Sequence, residues 1–177
     1  MIAAASALRS FRKLPRVEAA CMALAAEAGI RAAGTRLVEV DHRSLLLVER
    51  FDRIGLLEGG EQLFRRMAFD YTVGNNDDHR QNHGFLYENG EWRLAEAFDI
   101  VAIGGRDHAI GVGRDGRTRS RANLRSGAGD FGLKPAEASN ILDPCIEVAR
   151  RMPRELDRVG LPIDQRNRIL ECRCEAA

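Results

Sequence analysis

The chain has 177 residues, 45% hydrophobic and 30% charged, with a formal net charge of +1. That length holds one domain with a real core, or a shortened two-lobe protein. The balanced charge excludes polyanion binding by electrostatics alone, so no direct nucleic-acid binding is expected. No run approaches the roughly 18 apolar residues of a membrane span. Cys21, Cys145, Cys172 and Cys174 form no CxxC pair and have no histidine at zinc-finger spacing. Reduced thiols and a cytoplasmic location are therefore expected.

The opening Met1–Ala7 is apolar and precedes Arg9, Arg12 and Lys13. A secretory signal places the charge first, so this segment reads as a frayed terminus. Pro15 opens a helical pattern in which Val17, Ala20, Cys21, Leu24 and Ala28 fall on one face, and Gly29 ends it. Thr35–Val40 and Ser44–Phe51 read as a hairpin across Asp41-His42-Arg43. The unbroken Leu45–Val48 run predicts a second strand covered on both faces. Ile54–Gly60 reads as a linker. A helix from Glu61 to Val73 turns Leu63, Phe64, Met67, Ala68 and Tyr71 inward.

A polar loop, Asn75–Asn82, comes next. His83–Glu88 and Glu91–Ala95 predict a second hairpin, since Asn89-Gly90 supplies the positive φ angles of a tight turn. Gly104–Gly116 is glycine-rich and irregular. Helices are expected over Ser120–Phe131, from Pro135 onward, and over Ile163–Cys172, with Pro144 and Pro153 interrupting or kinking the stretch between. Strands cluster early and helices late, which predicts an α+β fold with a helical second half.

The chemistry concentrates in Asn75-Asn76-Asp77-Asp78-His79-Arg80-Gln81-Asn82-His83-Gly84, answered downstream by Ala97-Phe98-Asp99-Ile100. An Asp, an Asn five positions later and a second Asp beyond a short hairpin are the set and order that kinase-type phosphoryl transfer uses. A hydroxyl is a poor nucleophile until its proton is drawn off, and Asp77 is the carboxylate for that task. Asn82 offers a carbonyl oxygen suited to Mg²⁺, a hard cation. Asp99 supplies the charged oxygen that ties the metal to phosphate, and the hairpin returns it toward Asn82. His79 can orient the loop or Asp77 through a ring hydrogen bond. His83 fits an ordinary polar role as well as a functional one, and Asp78 reads as a loop-capping residue.

Asn76-Asp77-Asp78-His79-x-x-Asn82-His83-Gly84-Phe85-Leu86-Tyr87, followed by Trp92-Arg93-Leu94-x-x-Ala97-Phe98-Asp99-Ile100, resembles the C-terminal domain of HipA-type serine/threonine kinases, toxins of bacterial toxin–antitoxin pairs. Val48–Arg53 is similar to the hinge motif of that family and Pro15–Met22 to the helix before it. Asp130–Ala138 resembles its helical tail. The resemblance implies a kinase-like catalytic lobe, with residues 1–53 a remnant of the N-terminal lobe with a short hairpin and hinge strand, and 54–177 the mainly helical C-terminal lobe. It implies transfer of the ATP γ-phosphoryl group to a protein hydroxyl with Mg²⁺. Asp77 would then be the catalytic base, with Asn82 and Asp99 as metal ligands. The backbone around Glu49 and Phe51 would meet the adenine, and Asp52 would approach the ribose. The partners implied are a protein substrate and an antitoxin-like DNA-binding protein.

The family carries a glycine-rich phosphate loop and a lysine-bearing strand ahead of the Pro15 helix. Neither is present here. Lys13 and Lys134, the only lysines, stand too close to that helix and in a late turn respectively. Glu18 matches the helix carboxylate that would pair with such a lysine. The expectation is thus a kinase shortened at its N-terminus. The alternatives are an inactive remnant acting as a protein-binding module, and a metal-dependent hydrolase using Asp77, His79, His83 and Asp99.

Overall fold

The computed structural model describes residues 2–3, 14–40, 43–48, 59–88, 90–103 and 107–171. Glu49, Phe51 and Asp52, expected at the hinge, lie outside these described residues. The architecture is α+β.

Helix α1 (Leu14–Glu27) follows strand β1 (Ile2–Ala3) and precedes β2 (Thr35–Val40) and β3 (Arg43–Val48). The three strands form one antiparallel sheet in the order β1-β3-β2, with Ile2 opposite Val48 and Thr35 opposite the same residue on the other side. The segment read as a frayed terminus therefore contributes a short strand. The inner strand β3 is not covered on both faces as its apolar run suggested: Leu46 is buried, whereas Leu45 is 38% exposed. Side chains alternate across a strand, and only one face of this small sheet meets α1. Arg16 ties the hairpin down, donating from Nε to Ser44 Oγ at 2.9 Å and from Nη2 to Glu39 at 2.7 Å.

Helix α2 (Gly59–Val73) begins where a linker ending at Gly60 was expected. A Cβ on Gly60 would lie 2.5 Å from the Phe131 carbonyl oxygen, so the residue type here reflects a close backbone approach as well as a helix start. Gly74 closes the helix at φ +81, and both Gly74 and Asn75 donate their N–H groups to the Asp70 carbonyl. A 3₁₀ turn (Arg80–Asn82) leads into the hairpin of β4 (Phe85–Glu88) and β5 (Glu91–Leu94), with Tyr87 opposite Trp92.

The helix expected over Ser120–Phe131 is two pieces, α3 (Arg121–Ser126) and a 3₁₀ turn (Ala128–Phe131). Ser120 caps α3 by accepting from the Asn123 N–H. Asn123 is fully buried. It donates through Nδ2 to the Thr118 and Gly116 carbonyls and accepts from the Asp115 N–H. This short helix is thus specified by the loop it braces rather than by its own length.

Helix α4 (Pro135–Ala149) runs through Pro144 instead of stopping there. A helix-interior proline costs about 3 kcal/mol. The face carrying Ala138, Ile141, Leu142, Cys145 and Ala149, buried where α4 packs on α2, outweighs that cost. Pro153 lies in the first turn of α5 (Met152–Arg158), a position that suits it, and α6 (Ile163–Glu171) ends the described chain. One apolar core joins α1, α2, α4 and α5, running from Val17 to Ile169. Among the described residues no helix is long and apolar enough to cross a membrane.

Candidate active site

The loop after α2 is built from its own polar side chains. Asn75 is buried and works in two directions. Its Oδ1 accepts from the Asp77 N–H at 3.3 Å, and its Nδ2 donates to Asp70 Oδ1 at 2.9 Å. Asn82, also buried, donates from Nδ2 to the Asp77 carbonyl at 3.3 Å. Two tethers therefore fix the backbone of Asp77 while its side chain stays exposed. With the Asn82 amide nitrogen engaged, its carbonyl oxygen is the atom left to act as a ligand.

Asp99 is delivered from the other side. Ala97 donates to the Arg31 carbonyl at 2.7 Å and accepts from the Ala33 N–H at 2.9 Å, a parallel bridge to the segment after α1. Four residues beyond Asp99, Ile103 donates to the Gly74 carbonyl at 3.2 Å. The chain between these anchors arches past α1 and the Asp77 loop. At its crest Asp99 is the one non-glycine residue with positive φ among those described, at +58°. Such a backbone costs an L-residue about 1–2 kcal/mol, a strain that tends to collect at functional sites.

Electrostatics show which groups this arch brings together. The Asp99 carboxyl is pushed up by partial burial and then by the Asp77 carboxylate, while His79 pulls it down. The Glu18 carboxyl, on α1, is pushed up to about 7 by burial and then by Asp99. Asp77, His79 and Glu18 thus each lie within electrostatic reach of Asp99. Asn82 and Asp99 also line one small cavity of about 10 Å³, roughly the room of one water or ion, with Arg66, Asp70, Asp78 and His83.

Asp77 and Glu18 each repel the Asp99 carboxylate, and a divalent cation is a partner that relieves such repulsion. Asn82 and Asp99 fit that role, with an amide oxygen and a carboxylate of the kind Mg²⁺ prefers. The His79 Nδ1 and both polar atoms of the Asn76 amide are buried without a hydrogen-bond partner in the protein. Such atoms cluster where a bound group or water completes the set. Among the described residues, no group of three or more His, Cys, Asp or Glu side chains is placed to hold a metal. A metal held by Asn82 and Asp99 would need further oxygens from a bound group to complete its shell.

Asp78, read as a loop-capping residue, and His83, read as ordinary polar or functional, pair with each other. Asp78 is buried, and its Oδ1 lies 2.8 Å from His83 Nε2. Beneath them the fully buried Asp70 is pushed well up by burial and then by Asp78. Arg66 is buried beside both, donates to the Ala95 carbonyl, and is lowered to about 10 by burial and by Arg31. His108, almost wholly enclosed, is held neutral, pushed down to about 4 by burial and then by Arg119. Sequence reading passed over Arg66 and Asp70. The available signal was a charged i, i+4 pair on the face of α2 that otherwise carries apolar residues.

The sequence model of the "HipA-like C-terminal domain" family matches residues 2–59 and 56–155. A Haemophilus influenzae protein described as "Putative kinase" is 40% identical over 43 residues, which are 24% of this chain and 12% of that protein. Among solved structures, a chain of the Shewanella oneidensis MR-1 toxin–antitoxin system of HipA, HipB and operator DNA superposes with a TM-score of 0.69 at 17% identity. The match covers 92% of this chain and 54% of that one. The chain therefore spans about half the length of that structural relative and a small part of the curated one. The family match extends over most of the chain, the fold is shared, and the Asp77–Asn82–Asp99 arrangement lies inside the matched residues: this chain belongs to the HipA-like C-terminal domain family.

Proposed function

We propose that this chain is the catalytic lobe of a HipA-type serine/threonine protein kinase, transferring the ATP γ-phosphoryl group to a protein hydroxyl. The observation that carries the reading is the arched backbone at Asp99. Its left-handed conformation and flanking tethers bring a carboxylate to Asp77 and to the Asn82 cavity. In this reading Asp77 draws the proton from the acceptor hydroxyl, and its exposure leaves it free to meet a protein substrate. His79 orients it from within the same loop. Asn82 and Asp99 hold Mg²⁺, which when bound neutralises phosphate charge. Glu49 and Phe51 offer backbone to the adenine, and Asp52 approaches the ribose.

The same reading assigns residues 1–53 to the smaller lobe and hinge, and 54–177 to the catalytic lobe. It also assigns an antitoxin-like DNA-binding protein as partner and the cytoplasm as the place of action. The HipB and operator DNA of the Shewanella complex support the partner by likeness.

The test is phosphate transfer from radiolabelled ATP, paired with a thermal-shift titration. ATP plus Mg²⁺ is expected to raise the melting temperature where either alone does little. Asp77→Ala should abolish transfer while leaving that shift in place. Equal transfer by wild type and Asp77→Ala would discard the assignment of the base. Absence of any nucleotide-dependent shift would favour a non-catalytic, protein-binding role.

A further inference from the structure

We propose that the apolar cavity beside the Asp77–Asn82 loop receives a side chain of the protein substrate, and that Arg80 selects an acidic residue close to it. The preferred acceptor is then a hydroxyl flanked in its own sequence by a large apolar residue and an acidic one. This rests on the kinase reading and names the substrate class of that same site.

The cavity measures about 350 Å³ and is open to solvent, a size typical of pockets that take up a ligand. Its apolar wall is made by Leu63 and Met67 of α2, Phe85 at the start of β4, Ile110 and Phe131. Asp78, Arg80 and His83 complete it, so one side of the cavity is the loop that carries Asp77. Asp78 follows the exposed Asp77 directly, and consecutive Cα atoms stand about 3.8 Å apart. An extended substrate advances by about 3.3–3.6 Å per residue. A segment that brings its hydroxyl to Asp77 therefore brings a neighbouring side chain to the cavity.

Two features favour a peptide as the occupant. The apolar surface does not end at the cavity. Phe85 is 56% exposed, and Tyr87, two residues on along the same face of β4, is 61% exposed. Trp92, opposite Tyr87 in the hairpin, is 68% exposed, and the two rings stand 5.1 Å apart. A row of exposed aromatic rings of this kind anchors protein contacts. The second feature is charge. Asp78 and His83 engage each other at 2.8 Å. Arg80 is exposed and forms no ion pair with a described residue. The uncompensated charge on the cavity wall is thus a guanidinium, whose planar fork suits a carboxylate and repels a basic side chain.

The test is nuclear magnetic resonance of isotope-labelled methionine methyl groups, which needs neither ATP nor catalysis. Met67 lines the cavity, whereas Met22 and Met152 are buried in the core and take no part in its wall. The probes are short synthetic peptides with a central serine, leucine on one side and glutamate on the other, in both orders, and alanine elsewhere. At least one order should move the Met67 signal and leave Met22 and Met152 in place. Replacing the leucine by alanine should weaken binding about tenfold or more. Replacing the glutamate by lysine should weaken it about threefold. Arg80→Glu should invert that preference, so that the lysine peptide binds more tightly than the glutamate peptide. A Met67 signal that neither order moves would overturn the proposal. So would equal binding of the leucine and alanine peptides, or an unchanged glutamate preference in Arg80→Glu. Displacement of the peptide by ATP–Mg²⁺ would assign the cavity to the nucleotide and overturn it as well. Binding with the expected preference but without phosphate transfer to the serine would remove the kinase reading alone. Transfer that ignores both the leucine and the glutamate would overturn this proposal and leave the kinase reading in place.

Discussion

Glu18→Gln should stabilise the chain, increasingly as pH rises. The Glu18 carboxyl is pushed up from 4.5 to about 7 by burial and then by Asp99. A carboxyl raised in the folded state holds its proton more tightly there than in the unfolded chain. Its stabilising contribution is complete below pH 4.5, is lost as pH climbs toward 7, and stays lost above it. Glutamine is neutral throughout and escapes that loss. At about 1.4 kcal/mol per unit, the advantage of Glu18→Gln is under about 1 kcal/mol at pH 5 and about 3 kcal/mol at pH 8. For a chain of this size that corresponds to a melting temperature higher by about 6–12 °C at pH 8. The assay is thermal unfolding of both proteins by circular dichroism between pH 5 and pH 8 without divalent ions. Melting temperatures that move in parallel across that range would refute the reasoning. They would mean that Glu18 does not face Asp99 from an enclosed position.

Two further substitutions probe the arch and the loop beside it. At φ +58 Asp99 occupies a conformation that glycine adopts freely, so Asp99→Gly should be more stable than Asp99→Ala by about 1 kcal/mol in denaturant titration. Both should lose any ATP–Mg²⁺ thermal shift. Asn123→Ala removes a buried amide that bonds the Thr118 and Gly116 carbonyls and the Asp115 N–H. It should cost about 3 kcal/mol, read as a fall in urea midpoint with unchanged slope.

Periodicity placed most elements. α1, β2, α2 and the β4–β5 hairpin stand within a few residues of their predicted bounds, because each carries a local signal: a face, a cap, or an Asn-Gly turn. The Asp77–Asn82–Asp99 order is a pattern of residue types and spacing, so it can be proposed from the sequence without any contact being known. Pro144 misled because proline is judged against the helix alone, whereas α4 persists through burial against α2. The Leu45–Val48 run misled because four apolar residues do not say which face is covered.

By itself the sequence determined the fold class and a family likeness resting on Asn76–Tyr87 and Trp92–Ile100. Only the tertiary structure decided that Asp78 turns inward to His83 and that Asp70 lies beneath it. It alone placed Glu18, 81 positions before Asp99 in the chain, where the two carboxyls feel each other. The physical reason is range. Caps, turns and faces depend on neighbours a few residues away, whereas burial and Coulomb interaction depend on distance in space, which a linear chain does not record.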